Sequence, residues 1–65
     1  MNQNEPKSKA TILVVEDDKF LRELIAQKLQ KEGFETQVAI EAAEAFKIIN
    51  EKKPDLILVD LVLPG

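Results

Sequence analysis

The sequence predicts an α/β fold in which strands and helices alternate in the order βαβαβ. Two short, uninterrupted apolar runs, TILVV and LILV, are typical of strands covered on both faces, as in parallel sheets. Two longer stretches repeat their apolar residues with helical spacing. Strands that alternate with helices are joined by right-handed crossovers, which place helices on both faces of a parallel sheet.

The first strand is predicted at Thr11 to Val15, a run too short for a helix. Asp17 or Asp18 can cap the helix that follows, which is expected to run to about Glu32. Gly33 is placed to supply the left-handed turn that ends this helix. The apolar stripe that predicts the helix consists of Leu21, Leu24, Ile25 and Leu29.

The second strand is predicted at Glu35 to Ala39, and its mixed polarity suits an edge of the sheet. Pro54 ends the second helix by Lys53 at the latest. The third strand, Leu56 to Val59, is expected to be buried on both faces and leads directly into Asp60. The second helix is predicted from the apolar residues Ala42, Ala45, Phe46, Ile48 and Ile49.

Composition excludes several classes of function. The 65 residues lie at the lower size limit of a single domain, and without Cys or His they form neither disulfides nor a zinc site. The net charge of −3 is unfavourable for nucleic-acid binding. No apolar run approaches the roughly 20 residues of a membrane span, and no signal peptide is evident, so a cytoplasmic location is expected.

Residues 1–9 are predicted to be a flexible tail before a domain at 10–65.

Acidic residues follow the first and third strands, where parallel sheets bind ligands. In a flavodoxin-like sheet with strand order 2-1-3 these strands are neighbours about 4.8 Å apart, so we expect Asp17 and Asp60 to lie side by side, with Glu16 nearby. Two carboxylates about 4 Å apart repel by about 4 kcal/mol at an effective dielectric of 20. Either one acid keeps its proton or a hard cation binds, and we favour Mg²⁺. For Asp18 alone, helix capping is the preferred interpretation.

These segments, in this order, carry a family resemblance. VVEDDKFLRELI, followed by GFETQVA, AAEAF and PDLILVDLVLPG, resembles the N-terminal half of a response-regulator receiver domain from bacterial two-component signalling. The resemblance extends from Thr11 to Gly65. It implies a doubly wound parallel sheet truncated to βαβαβ, without strands four and five, and a signalling module rather than an enzyme.

The resemblance also implies roles for individual residues. Asp60 would accept a phosphoryl group from a sensor histidine kinase or a phosphotransfer protein. Asp17 would bind Mg²⁺ directly, Glu16 mainly through water, and Val62 through its backbone carbonyl. The Val62 side chain cannot orient an attacking water, which implies slow loss of the phosphate from a complete domain.

Two interpretations of the chain remain open. Receiver domains carry a Ser or Thr after strand four and a Lys after strand five, and both positions fall beyond residue 65. These residues alone are therefore expected to be inactive as a phosphoacceptor. The alternative is a non-catalytic half-domain that self-associates through the exposed edge of its third strand.

Overall fold

The computed structural model describes residues 10–59, and the structural statements below refer to that part of the chain. All five predicted elements are present, and the three strands have the predicted bounds. In chain order they are β1 (Thr11–Val15), α1 (Lys19–Lys31), β2 (Glu35–Ala39), α2 (Ala42–Glu51) and β3 (Leu56–Val59).

The three strands form one parallel sheet in the order β2-β1-β3. Val14 of the central strand pairs with Val38 on one side and with Leu58 on the other. The predicted order 2-1-3 is therefore confirmed, and β2, with its mixed polarity, lies at an edge as expected.

The core lies on the two faces of β1. Leu13 and Val14 are fully buried, and successive side chains of a strand point to opposite faces. On the Leu13 face, α2 contributes Ala45 to a cluster that also includes Ala39. The connection from β1 to β2 and the connection from β2 to β3 run in opposite directions across the sheet. Because such crossovers are right-handed as a rule, α1 belongs on the face opposite α2. The prediction that β1 is buried on both faces is confirmed.

The turn after α1 shows why Gly occupies position 33. Gly33 has a φ of 99°, in the left-handed region where a side chain would be strained. Its N–H donates to the Gln30 carbonyl at 3.0 Å, and the Phe34 N–H donates to the Leu29 carbonyl at 3.1 Å. This pair of bonds is a Schellman motif, which satisfies carbonyls at the helix end and turns the chain into β2.

The prediction that β3 is buried on both faces is wrong. Its four apolar side chains are each between 42% and 58% exposed. Among the described elements β3 pairs only with β1, and both helices pack over β1 and β2. The apolar run therefore predicted the strand correctly, but the covering layers that would bury it are not among residues 10–59.

Both helices bury a narrower face than their apolar stripes predicted. In α1, Ala26 is buried, whereas Leu21 and Leu24 are exposed. In α2, Phe46 is 67% exposed and borders an apolar groove of about 190 Å³ beside β3. The groove is lined by Val15, Ala42, Ala45, Phe46, Ile49, Ile57 and Val59. Neither described helix is both long and apolar enough to cross a membrane.

Candidate functional site at the carboxyl end of the sheet

The first and third strands end level with each other. Val15, the last residue of β1, pairs with Val59, the last residue of β3. Glu16 continues the pairing of β1 with β2, because its N–H donates to the Ala39 carbonyl at 3.0 Å. The carboxyl end of a parallel sheet is where such folds bind ligands, so the residues after these strands form the candidate site.

Glu16 is the buried acid of this site. It is 4% exposed, and its Oε2 accepts a hydrogen bond from the Asp18 N–H at 3.0 Å. A carboxylate is costly to bury unless hydrogen bonds compensate for its lost hydration. The main chain two residues later supplies such a bond, and it holds the Glu16 side chain at the end of β1.

Asp17, the next residue, is exposed to solvent. The two adjacent acids therefore differ in environment, one packed against the sheet end and the other accessible from solution. The sequence predicted both as metal ligands but could not tell which of them is buried. The other two predicted members of the site, Asp60 and Val62, lie outside the described residues, so their positions and the expected closeness of Asp17 to Asp60 stay predictions.

Asp18 caps α1, as the preferred interpretation of the sequence stated. Its Oδ1 accepts a hydrogen bond from the Leu21 N–H at 2.9 Å, and its backbone is extended, with φ −80° and ψ 118°. These are the contact and conformation of an N-cap residue. Asp18 therefore has a structural role in starting the helix, and the acid loop, defined as residues 16–18, leads directly into α1.

Arg22 is a residue of the site that the sequence did not reveal. Its Nη1 donates a hydrogen bond to the Glu16 carbonyl at 2.9 Å, and the residue is half-buried. The only sequence signal is its position four residues into the helix after the acid pair, and an Arg in a first turn is usually solvated. The contact depends on how α1 packs, which the residue pattern does not specify.

The remaining charged groups do not complete a metal site. Within residues 10–59, no three acidic, His or Cys side chains come together in a way that could hold a metal ion. Lys19 is exposed on the first turn of α1. Lys52 lies at the opposite end of the sheet, where its Nζ is 3.4 Å from Oε2 of Glu35, the first residue of β2. Carboxylate oxygens are nevertheless the donors that a hard divalent cation prefers, so Glu16 and Asp17 fit such an ion.

Comparison with known proteins identifies relatives of this chain. Over 54 residues it is 46% identical to the DNA-binding response regulator MtrA of Mycolicibacterium smegmatis. The matched residues cover 83% of this chain and 24% of that protein. It is also 46% identical over 55 residues to the phosphate regulon transcriptional regulatory protein PhoB of Pseudomonas aeruginosa, covering 85% of this chain and 24% of PhoB. The chain thus spans about a quarter of the length of these relatives.

Solved structures agree with the sequence matches. The crystal structure of the N-terminal domain of a response regulator receiver protein from Methanoculleus marisnigri JR1 superposes with a TM-score of 0.81 at 29% identity. The superposition covers 89% of this chain and 47% of that one. Residues 12–65 match the family described as the response regulator receiver domain. With its parallel βαβαβ fold and its acids at the carboxyl end of β1, the chain belongs to the response regulator receiver domain family.

Proposed function

We propose that the chain is part of a phosphoacceptor module in which Asp60 accepts a phosphoryl group with the help of Mg²⁺. The observation that carries the proposal is that, in a member of the receiver family, the last residues of β1 and β3 pair with each other, so that the two strands end side by side. Glu16 and Asp17 follow β1 in the sequence, and Asp60 follows β3. This arrangement supports a shared site at the carboxyl end of the sheet.

The proposed reaction is a phosphoryl transfer to a carboxylate. A carboxylate oxygen of Asp60 attacks the phosphorus of a phosphohistidine, an O–P bond forms, and the N–P bond breaks as the imidazole nitrogen leaves with the electron pair. Bound Mg²⁺ would neutralise the negative charge on the phosphoryl oxygens. The donor would be a sensor histidine kinase or a phosphotransfer protein, and the module would act in the cytoplasm as a signalling component rather than as an enzyme.

The environments of the two acids support different roles toward the cation. Asp17 is exposed, so its carboxylate can enter the coordination shell directly. Glu16 is buried with Oε2 held by the Asp18 N–H, which suits contact with the cation mainly through water. Val62 would add its backbone carbonyl, and its apolar side chain would leave an attacking water unoriented, so that the phosphoaspartate is lost slowly.

The test places the chain in a complete receiver domain. A chimera in which this sequence replaces the matched segment of PhoB is incubated with Mg²⁺ and a small phosphodonor such as acetyl phosphate. Mass spectrometry should find one phosphate, located on Asp60, and none in an Asp60→Asn variant. Residues 1–65 alone should remain unmodified. An Asp17→Asn variant should need far more Mg²⁺, and a Val62→Gln variant should lose its phosphate faster.

The result that contradicts the proposal is equally specific. If the chimera folds, as judged by circular dichroism, but takes up no phosphate on Asp60, the phosphoacceptor assignment is wrong. Phosphate on Glu16 or Asp17 instead would show that the nucleophile had been misassigned. Equal uptake with and without Mg²⁺ would remove the metal from the proposal.

The exposure of β3 favours a second function for these residues alone, which is association with a second copy. An uncharged apolar edge strand offers unpaired backbone groups and no repulsion to an identical strand. Two β3 strands related by a two-fold axis could pair antiparallel and extend both sheets. The β2 edge is less suited to such pairing because it contains Glu35 and other polar residues.

One valine and one leucine of equal exposure give a matched test of this association. Val38 on β2 and Leu58 on β3 are both 42% exposed and both pair with Val14, so they lie on the same face at opposite edges. By light scattering, Leu58→Lys should convert a dimer into monomers, whereas Val38→Lys should leave the dimer intact. A folded monomer of the unsubstituted chain at micromolar concentration would exclude self-association.

A further inference from the structure

Arg22 connects the first turn of α1 to the end of β1. Its Nη1 donates to the carbonyl oxygen of Glu16 at 2.9 Å, so the contact spans six residues and encloses the whole acid loop. We propose that Arg22 is a positioning residue that orients Glu16 and Asp17 toward a divalent cation by holding the peptide group between them. The inference rests on the proposed function, because it assigns a role toward the same cation.

The peptide group between the two acids controls where their side chains lie. The carbonyl of Glu16 belongs to the peptide plane that joins Glu16 to Asp17, so a bond to this oxygen restricts ψ of the first residue and φ of the second. These two torsions set the direction of the Asp17 side chain relative to Glu16. A contact to a main-chain oxygen can therefore orient an exposed carboxylate without touching it.

The other bonds of the acid loop hold its two ends. At its start, the Glu16 N–H donates to the Ala39 carbonyl, which fixes the loop to β2. At its end, the Arg22 N–H donates to the Asp18 carbonyl at 2.8 Å as the first turn of α1 forms. The guanidinium contact restrains the peptide group between these two anchored ends.

Guanidinium chemistry suits this role. Arg is always charged and presents its donors in a rigid plane, so it loses little freedom when it holds a fixed acceptor. Half-burial of the residue at the start of α1 restricts the side chain further. The group also adds a positive charge beside two acids, which by simple electrostatics would weaken the binding of a second cation. Positioning and charge therefore predict opposite effects when Arg22 is replaced.

Arg22→Met is the informative substitution, because Met keeps the apolar stem and the helix propensity while removing charge and donors. Partners that orient metal ligands typically contribute 10–100-fold to metal affinity. We expect Arg22→Met to weaken Mg²⁺ binding about tenfold, and Arg22→Lys, which keeps a donor and the charge, to recover much of this loss. Lys19→Met is the matched control, since it removes an exposed positive charge from the same turn.

The experiment titrates the 65-residue chain with Mg²⁺ alone and follows the amide resonances of Asp17 and Asp18 by NMR. Hydrogen exchange of the Asp18 amide, which bonds to Glu16 Oε2, is measured without metal. Arg22→Met should speed this exchange as well as weaken binding, whereas Lys19→Met should change neither by a comparable amount. Circular dichroism checks that each variant is folded, and Arg22→Gln replaces the Met variant if that one unfolds.

Each outcome decides the inference. Unchanged or tighter Mg²⁺ binding by folded Arg22→Met would overturn the positioning role, because that role requires the substitution to weaken binding. Equal weakening in Lys19→Met would overturn it as well. If the unsubstituted chain shows no Mg²⁺-dependent shifts at Asp17, the proposed metal site itself fails, and the inference fails with it. That result is distinguishable because it appears before any substitution is made.

Discussion

The cap of α1 provides a quantitative test of how the acid loop is divided between structure and metal binding. Oδ1 of Asp18 accepts the N–H of Leu21 at 2.9 Å, and Asp18→Ala leaves that donor to water. Loss of an N-cap side chain costs about 0.5–2 kcal/mol of the free energy of unfolding. Because this bond is exposed, water replaces it in part, so we expect about 0.5–1 kcal/mol.

That loss is large relative to the stability of so small a chain. At about 0.05–0.15 kcal/mol per residue, 65 residues have a free energy of unfolding of about 3–10 kcal/mol. For domains of this size, 1 kcal/mol corresponds to a shift of about 4–8 °C in Tm. Asp18→Ala should therefore lower Tm by about 2–8 °C, which thermal unfolding followed by circular dichroism resolves easily.

Two variants control for charge and for metal binding, and all measurements are made in EDTA. Asp18→Asn keeps an acceptor oxygen at the cap, so its Tm should stay close to that of the unsubstituted chain. Asp17→Asn alters an exposed neighbour that does not cap the helix, and it should also have little effect on Tm. If Asp18→Ala is as stable as the unsubstituted chain, or Asp18→Asn is as unstable as Asp18→Ala, the capping explanation is refuted.

Further substitutions test the core, the turn and the sheet start, all by urea unfolding. Leu13→Ala removes a fully buried side chain and should lower the free energy of unfolding by about 2–5 kcal/mol. Leu24→Ala, at a site 51% exposed, should lower it much less, and similar losses for the two variants would contradict the assigned core. Gly33→Ala places a side chain at φ 99° and should lower the free energy of unfolding by about 1–2 kcal/mol. If this variant is as stable as the unsubstituted chain, the left-handed turn at position 33 is contradicted. Asp55→Ala removes the Oδ2 acceptor of the Thr11 N–H at 2.8 Å and should cost about 1–3 kcal/mol, while Asp55→Asn should cost less.

Local chemistry made much of the fold predictable. The two apolar runs and the ETQVA segment give strands with the observed bounds, because each is too short and too apolar or β-branched to form a helix. Gly33 and Asp18 act as the turn and the cap that their positions indicated. The mixed polarity of β2 suited an edge, and that strand lies at an edge of the described sheet.

Exposure was harder to predict, since it depends on which elements cover each surface. Phe46 belongs to the predicted stripe of α2, yet it is exposed because that side of the helix faces the uncovered groove beside β3. In the candidate site, too, the exposure of individual side chains could not be predicted from the sequence. Burial of Glu16, exposure of Asp17 and the reach of Arg22 follow from the packing of α1 against the sheet, which no residue pattern specifies.

The central position of β1 has a consequence for the order of folding. At the start of the strands, Thr11 contacts Glu35 across 24 residues and Asp55 across 44 residues. A ribosome adds about 5–20 residues per second, so the twenty or so residues between these partners take about 1–4 s to synthesise. During translation, the strand that precedes Glu16 can therefore acquire a neighbour and a covering helix before the segment leading to Asp60 has emerged.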